Sequence, residues 1–352
     1  MLKRNKENII GALSDAQKFI FAPMAFCALN SAIELGIIDF LDKNPVDENK
    51  IIKELNLDEY TVRTLLDVLI LNNIVIKKDE SYSLSKTGSL FLYDDMTRAN
   101  FNFVKDVCYL GMSELTNSFK EKKPKGLYKT IKGHKTIYSA LTSLPDKMLK
   151  SWYEFDHLYS DNCFEEVFEI INKKYSSIFD IGGNTGKFEK LCLKHNKNFN
   201  ITMLDLSENI EKIKENADLK NCKFYPVNIL DKKPNYPKIK NSAILMSQFL
   251  DCFSKKDIVK ILKDLSRSMD NNSSIYILEP YTDKQKYNAA KYSLVHSSLY
   301  FTAMANGVSK FYTIKEMKEL IRLSNLKIIN QYDDIGSFNY TLLEIKNEVV
   351  SN

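Results

Sequence analysis

Hydrophobic residues recur with two periods along the chain, and the change falls near residue 176. Before it the spacing is helical. Phe19 to Leu41 carries apolar residues three and four apart and ends near Gly36-Ile37-Ile38, and Pro45 then interrupts the pattern. I-I-K-E-L-N-L (51–57) and Y-T-V-R-T-L-L-D-V-L-I-L-N-N (60–73) keep the helical period. I-V-I-K-K-D-E-S-Y-S-L-S (74–85) alternates and turns, as a hairpin does. Helix, helix, hairpin is the order of a winged helix. Residues 93–175 read as linking helices, with a loop from Glu121 to Gly126 around Pro124. The last of them starts at about Leu144 and runs through S-W-Y-E-F-D-H-L-Y-S-D (151–161).

From residue 176 short apolar runs take over: I-F-D-I (178–181), I-T-M-L-D (201–205), F-Y-P-V (224–227), A-I-L-M-S (243–247) and I-Y-I-L-E (275–279). Helical segments separate most of them, which predicts a parallel α/β sheet. L-K-I-I-N-Q-Y (326–332) and Y-T-L-L-E-I (340–345) alternate and end the chain.

Composition narrows the function classes. A chain of 352 residues has room for two domains and a sizeable core. With 44% hydrophobic and 27% charged residues it is globular rather than disordered. The net charge of +5 comes from scattered lysines, clustered only at 3–6 and 120–126, so no basic face interleaved with aromatics favours nucleic acid. The helix that would enter a DNA groove has Arg63 as its only cation. We therefore expect a packing or dimerisation module and no nucleic-acid partner. The six cysteines lie outside metal-ligand spacing, so no metal is expected. Asp15 and Lys18 interrupt the first apolar stretch, and Asn30, Glu34 and Asp39 make 19–41 too polar to span a membrane. A cytoplasmic protein with free thiols and no membrane partner is the expectation.

Ligands of an open α/β sheet bind beyond the carboxyl ends of its strands. After the first strand comes D-I-G-G-N-T-G (180–186), whose glycines let the backbone turn and approach a ligand. After the second comes Asp205, about 20 residues on, where an acid grips ribose hydroxyls. The spacing of Gly182, Gly183 and Gly186 departs from the dinucleotide fingerprint, and no phosphate-binding P-loop is present. A nucleoside-bearing cofactor of another kind is indicated.

F-D-I-G-G-N-T-G followed by M-L-D-L resembles motifs I and II of class I S-adenosylmethionine-dependent methyltransferases. With A-I-E-L-G-I-I-D-F-L (32–41) and the winged-helix order, nearly the whole chain is similar to the dimeric small-molecule O-methyltransferases of plant phenolic and bacterial natural-product metabolism. The resemblance implies a Rossmann-like domain with a mostly parallel seven-stranded sheet at 161–352. It implies a winged-helix dimerisation domain at 1–95 and, at 96–160, linking helices that contribute to the acceptor pocket. It implies S-adenosylmethionine as cofactor and S-adenosylhomocysteine as product. Asp180, Gly182, Gly183, Asn184 and Gly186 would surround its amino-acid part, Asp205 its ribose and Leu206 its adenine. Asn228 and Ile229 stand where the family has Gly-Asp-Met or Gly-Asp-Phe beside adenine, and Ser247 and Gln248 follow strand four. Trp152, Phe155, Tyr159, Tyr300 and Met304 would line the acceptor pocket.

The catalytic set departs from the family. M-S-Q-F-L-D-C-F (246–253) aligns with the family's L-K-x-x-L-H-D-W without a gap, and the general-base histidine is replaced by Asp251. An aspartate near ~3.9 is a poor base for a phenol near ~10 unless desolvation or a like charge raises it. Glu279, ending the neighbouring strand, is expected to share Asp251's pocket. His157 and His296 are competing candidates for the base, and N-G-V-S-K-F-Y-T (306–313) lacks the family's supporting glutamate. The expected function is methylation of a small aromatic molecule, at oxygen by family default. Methylation of a phenol ring carbon is the runner-up, and a repurposed fold or a ligand sensor is the alternative of another class.

Overall fold

A computed structural model describes residues 6–348. Its packing falls into two compact units, one ending at Phe101 and the other beginning at Asn102. In the first unit a helix Lys6–Glu34 is followed after a short turn by Ile37–Lys43. Helices Glu48–Leu55 and Glu59–Leu71 start where the sequence places cap residues: the Asp47 and Asp58 carboxylates accept the Lys50 and Thr61 amides. The hairpin pairs Val75–Lys78 with Ser81–Leu84, and Val46–Asp47 adds a third strand. Ile37, Ile38, Leu41, Ile51, Val62, Leu66 and Leu69 form the core of this winged helix. The long first helix leaves Ile10, Leu13, Phe19, Ile20 and Met24 exposed. Among the described residues no single helix is long and apolar enough to cross a membrane. Ile9–Glu34 and Ile37–Lys43 meet that test only together, across a bend of 68°.

The second unit holds seven strands: β1 (Ser177–Ile181), β2 (Asn200–Asp205), β3 (Lys223–Pro226), β4 (Ala243–Ser247), β5 (Ser274–Glu279), β6 (Leu326–Ile335) and β7 (Tyr340–Asn347). Their order is β3-β2-β1-β4-β5-β7-β6, with β1–β5 parallel and β7 antiparallel to both neighbours. β5 is buried along its whole length, which explains its unbroken apolar run. Register fixes the site. Asp180 pairs with Met203 on β2 and with Leu245 on β4, so the ends of β1, β2 and β4 open on one edge. That edge contains the order reversal beside β1, where open sheets bind ligands.

The linking helices pack with the second unit. Phe103–Cys108 and Phe301–Ala305 are π-helical turns, which the helical period alone does not predict. Together with Asp146–Ser160 they build an aromatic layer containing Phe103, Trp152, Tyr300 and Phe301.

Candidate active site

One cavity of about 450 Å³ opens at the carboxyl ends of β1, β2 and β4. One half is made of strand ends and the glycine loop. Asp180, Gly182, Gly183, Asn184, Asp205, Leu206, Asn228, Ile229, Ser247 and Gln248 all reach its wall. Gly182 has φ +78, and a side chain there would strike the Phe249 ring at 2.4 Å. The loop therefore needs glycine for both conformation and space. The Asp205 carboxylate is aimed by two donors on Oδ1, the Leu206 amide at 2.7 Å and the Asn209 amide at 2.8 Å. Ser247 Oγ and Gln248 Nε2 are buried without a partner. The other Gln248 atom, Oε1, accepts the Tyr340 hydroxyl at 2.7 Å.

These residues fit S-adenosylmethionine. A carboxylate stands at the end of β2, unsatisfied polar atoms stand at the end of β4, and Leu206 and Ile229 offer apolar surface. The loop between β1 and its helix lets backbone meet ligand.

Beneath the loop lies an acid pair that the sequence reading missed. Glu189 is fully buried with neither oxygen satisfied, and its Oε1 and Asp180 Oδ2 flank Gly183. Burial pushes the Asp180 carboxyl up to about 6, and burial together with the Asp180 charge pushes Glu189 well above the usual range. The signal was available: Glu189 lies on the apolar face of its helix, beside Phe188 and three residues before Cys192.

The other half of the cavity is aromatic. Phe103, Tyr138, Trp152, Phe155, Tyr300 and Phe311 form its wall. The Trp152 indole donates to the Tyr300 hydroxyl at 2.7 Å, and Phe103 stacks on Phe155 at 3.9 Å. Asp251 sits in this half, 4% exposed, on a short turn after β4. Its carboxylate accepts the Cys252 thiol at 3.3 Å, and the thiol accepts the Tyr138 hydroxyl at 3.0 Å. Burial pushes Asp251 up to about 7, and the charge of Asp156 adds to the rise. Asp156 is half-buried on the same wall and holds the Asn184 amide at 2.9 Å. Burial lifts it to about 6, with Asp161 contributing. His157 also reaches the wall, its Nδ1 3.5 Å from Asp161.

Five expected site residues are placed elsewhere. Glu279 does not reach the cavity. Its Oε1 turns back to accept the Phe249 and Leu250 amides at 3.1 and 2.8 Å, so it clamps the turn that carries Asp251. Burial, then the Asp251 charge, pushes Glu279 well above the usual carboxyl range. His296 faces solvent, its Nδ1 2.8 Å from the Tyr292 carbonyl one turn back. Tyr159 packs between Phe155 and Phe338 outside the wall. Met304 is fully buried, its sulfur filling the space that a side chain at Gly111 would need. Gly186, at φ +75, supports the loop from behind against Leu219.

Comparison with known proteins places this geometry. A model of the O-methyltransferase domain matches residues 112–324, and one of the O-methyltransferase dimerisation domain matches 17–94. O-methyltransferase 9 of Dictyostelium discoideum is 23% identical over 319 residues, covering 87% of this chain and 85% of that one. L-tyrosine C(3)-methyltransferase of Streptomyces lavendulae is 25% identical over 169 residues, spanning 47% of this chain and only 46% of that enzyme. Among solved structures, the S-adenosylmethionine-dependent methyltransferase SibL superposes with a TM-score of 0.71 at 16% identity, over 95% of this chain and 99% of that one. The chain therefore belongs to the O-methyltransferase family, with that family's dimerisation domain ahead of a class I S-adenosylmethionine-dependent methyltransferase domain.

Proposed function

We propose that the protein transfers a methyl group from S-adenosylmethionine to a small aromatic acceptor, at oxygen by family default. The observation that carries this is the single cavity with two unlike halves, Asp205 and the glycine loop in one, Asp251 among aromatic rings in the other. S-adenosylmethionine supplies a methyl group on a sulfonium and leaves as S-adenosylhomocysteine. Asp205 holds the ribose hydroxyls, and Leu206 and Ile229 pack on the adenine. Trp152, Phe155 and Tyr300 hold the acceptor ring. Asp251 accepts the acceptor's proton, and its rise to about 7 suits a base acting near neutrality. Alignment of the two reactants supplies roughly 7–11 kcal/mol of barrier lowering, more than one base contributes.

Methylation of a phenol ring carbon is the second reading, favoured by the absence of a histidine at the end of β4. The three-part division into 1–95, 96–160 and 161–352 belongs to the same proposal. So does a homodimer through the first unit, whose exposed Phe19, Ile20 and Met24 are costly in water. No metal, nucleic acid or membrane enters this scheme, and the cytoplasm is its setting.

The test uses methyl-deuterated S-adenosylmethionine against phenols, catechols and hydroxyaromatic amines, read by fragmentation mass spectrometry. Label on the oxygen supports the default, and label on a ring carbon supports the second reading. S-adenosylmethionine bound and no label on any acceptor would count against transfer.

A further inference from the structure

Two helix ends break the same electrostatic rule at one point of the cavity wall. Helix dipoles favour acids at helix starts and bases at helix ends. Lys187 is nonetheless the first residue of the helix Lys187–His195, and Asp161 directly follows the helix Asp146–Ser160. Both line the cavity, where they meet as an ion pair, Lys187 Nζ against Asp161 Oδ2. Asp161 Oδ1 accepts the Ser160 hydroxyl at 3.0 Å, and His157 Nδ1 lies 3.5 Å from it. Among the described residues, Lys187 is the one lysine on that wall and no arginine joins it. His157 is the other wall side chain able to carry positive charge, and aspartates supply all the rest of the charge.

A half-exposed ion pair adds little to stability, and here each partner also opposes its own helix dipole. Locally unfavourable choices of this sort collect at functional sites. The Lys187 side chain is 42% exposed, and its ammonium has three N–H donors, of which Asp161 engages one. The cofactor assigned to the cavity carries a sulfonium, an ammonium and a carboxylate. The wall aspartates suit the first two and repel the third, so the carboxylate needs the lysine. The helix starts at Gly186 without a side-chain cap, and its first-turn amides add to the positive potential there.

We propose that Lys187 recognises the carboxylate of S-adenosylmethionine, with Asp161 holding the lysine in position for it. This rests on the assignment of the glycine-loop half to that cofactor. One ammonium then serves two carboxylates, the second brought by the ligand. Lys187 directly follows Gly186, so the turn that surrounds the cofactor's amino-acid part also places the cation for it. Asp161 comes from the linking segment, so the ion pair joins that segment to the glycine loop at the point where the ligand's carboxylate enters.

The test titrates the full chain with S-adenosylhomocysteine, with its decarboxylated analogue, which keeps the ammonium, and with adenosine. The wild type is expected to bind S-adenosylhomocysteine on the order of tenfold tighter than the decarboxylated analogue. Lys187→Met should remove most of that preference while the analogue and adenosine stay within about twofold. Lys187→Arg, which keeps the charge, should retain the preference. A wild type that binds the analogue as tightly as S-adenosylhomocysteine overturns the proposal and leaves the cofactor reading standing. So does Lys187→Met that keeps the preference or weakens all three ligands alike. A wild type that binds none of the three is the separate result that removes the cofactor reading, and this proposal with it.

Discussion

The glycine-loop half of the cavity is built from the ends of adjacent parallel strands, and the aromatic half from side chains of segments far apart in sequence. Asp180, Asp205 and Ser247 are held by register, so their spacing is set by backbone hydrogen bonds. Tyr138, Asp156, Asp251, Tyr300 and Phe311 come from five separate stretches and meet only through packing. The first kind of site is rigid and shared by many chains with this sheet. The second is free to change its acceptor without disturbing the strands.

The largest expected effect breaks the aromatic half alone. Asp251→Asn should lower the transfer rate by about 10²–10³ and leave S-adenosylhomocysteine affinity within about twofold. Steady-state rates and calorimetry together check this. In the wild type the rate should fall about tenfold per pH unit below about 7, as the base becomes protonated. A flat profile there would remove Asp251 as the base and return attention to His157.

Next in size is the opposite break. If Asp205 holds the ribose hydroxyls as proposed, Asp205→Ala should weaken S-adenosylhomocysteine by about a hundredfold. Smaller again is Gly182→Ala, which adds a side chain at φ +78 against Phe249. It should destabilise the fold by about 1–3 kcal/mol, visible as a drop in Tm.

The two halves differ in how far sequence reveals them. Asp180 and Asp205 were readable because a strand end is local: an apolar run, then glycine or an acid. Asp251 was readable as a misplaced carboxylate after β4, yet its surroundings were not. The adjacency of β4 and β5 was anticipated, and still Glu279 turned to the backbone amides of Phe249 and Leu250. Two unpaired amides in a tight turn compete for a carboxylate, and sequence does not show which partner wins. The positions of His296 and Met304 off the cavity wall were hidden for a similar reason. Helical periodicity gives a face but not what that face meets: His296 lies on the exposed side of the helix Asn288–Tyr300, and Met304 packs against Gly111. Asp156 was not legible because its contact with the Asn184 amide is made by tertiary packing.

The smallest effect concerns stability and sharpens the comparison. Asp180, Asp156 and Asp251 carry pKa values raised to about 6, 6 and 7, and Glu189 and Glu279 are raised further. The folded protein thus holds protons that the unfolded chain, near ~4, releases. That contribution is complete below about pH 4 and is lost as pH rises through about 6 to 7. The partly buried acid Glu316, lowered to about 2 beside Lys255 and Lys310, acts in the opposite sense and only below about pH 4. Ligand-free protein should therefore melt a few degrees higher at about pH 5 than at about pH 8. Glu189→Gln should flatten that slope.

The most direct test of the two-half account is calorimetric titration of S-adenosylhomocysteine into the wild type, Asp205→Ala and Asp251→Asn. The account predicts tight binding to the wild type, a loss of about a hundredfold in Asp205→Ala, and binding within about twofold in Asp251→Asn. Equal losses in both variants, or no binding to the wild type, would contradict it.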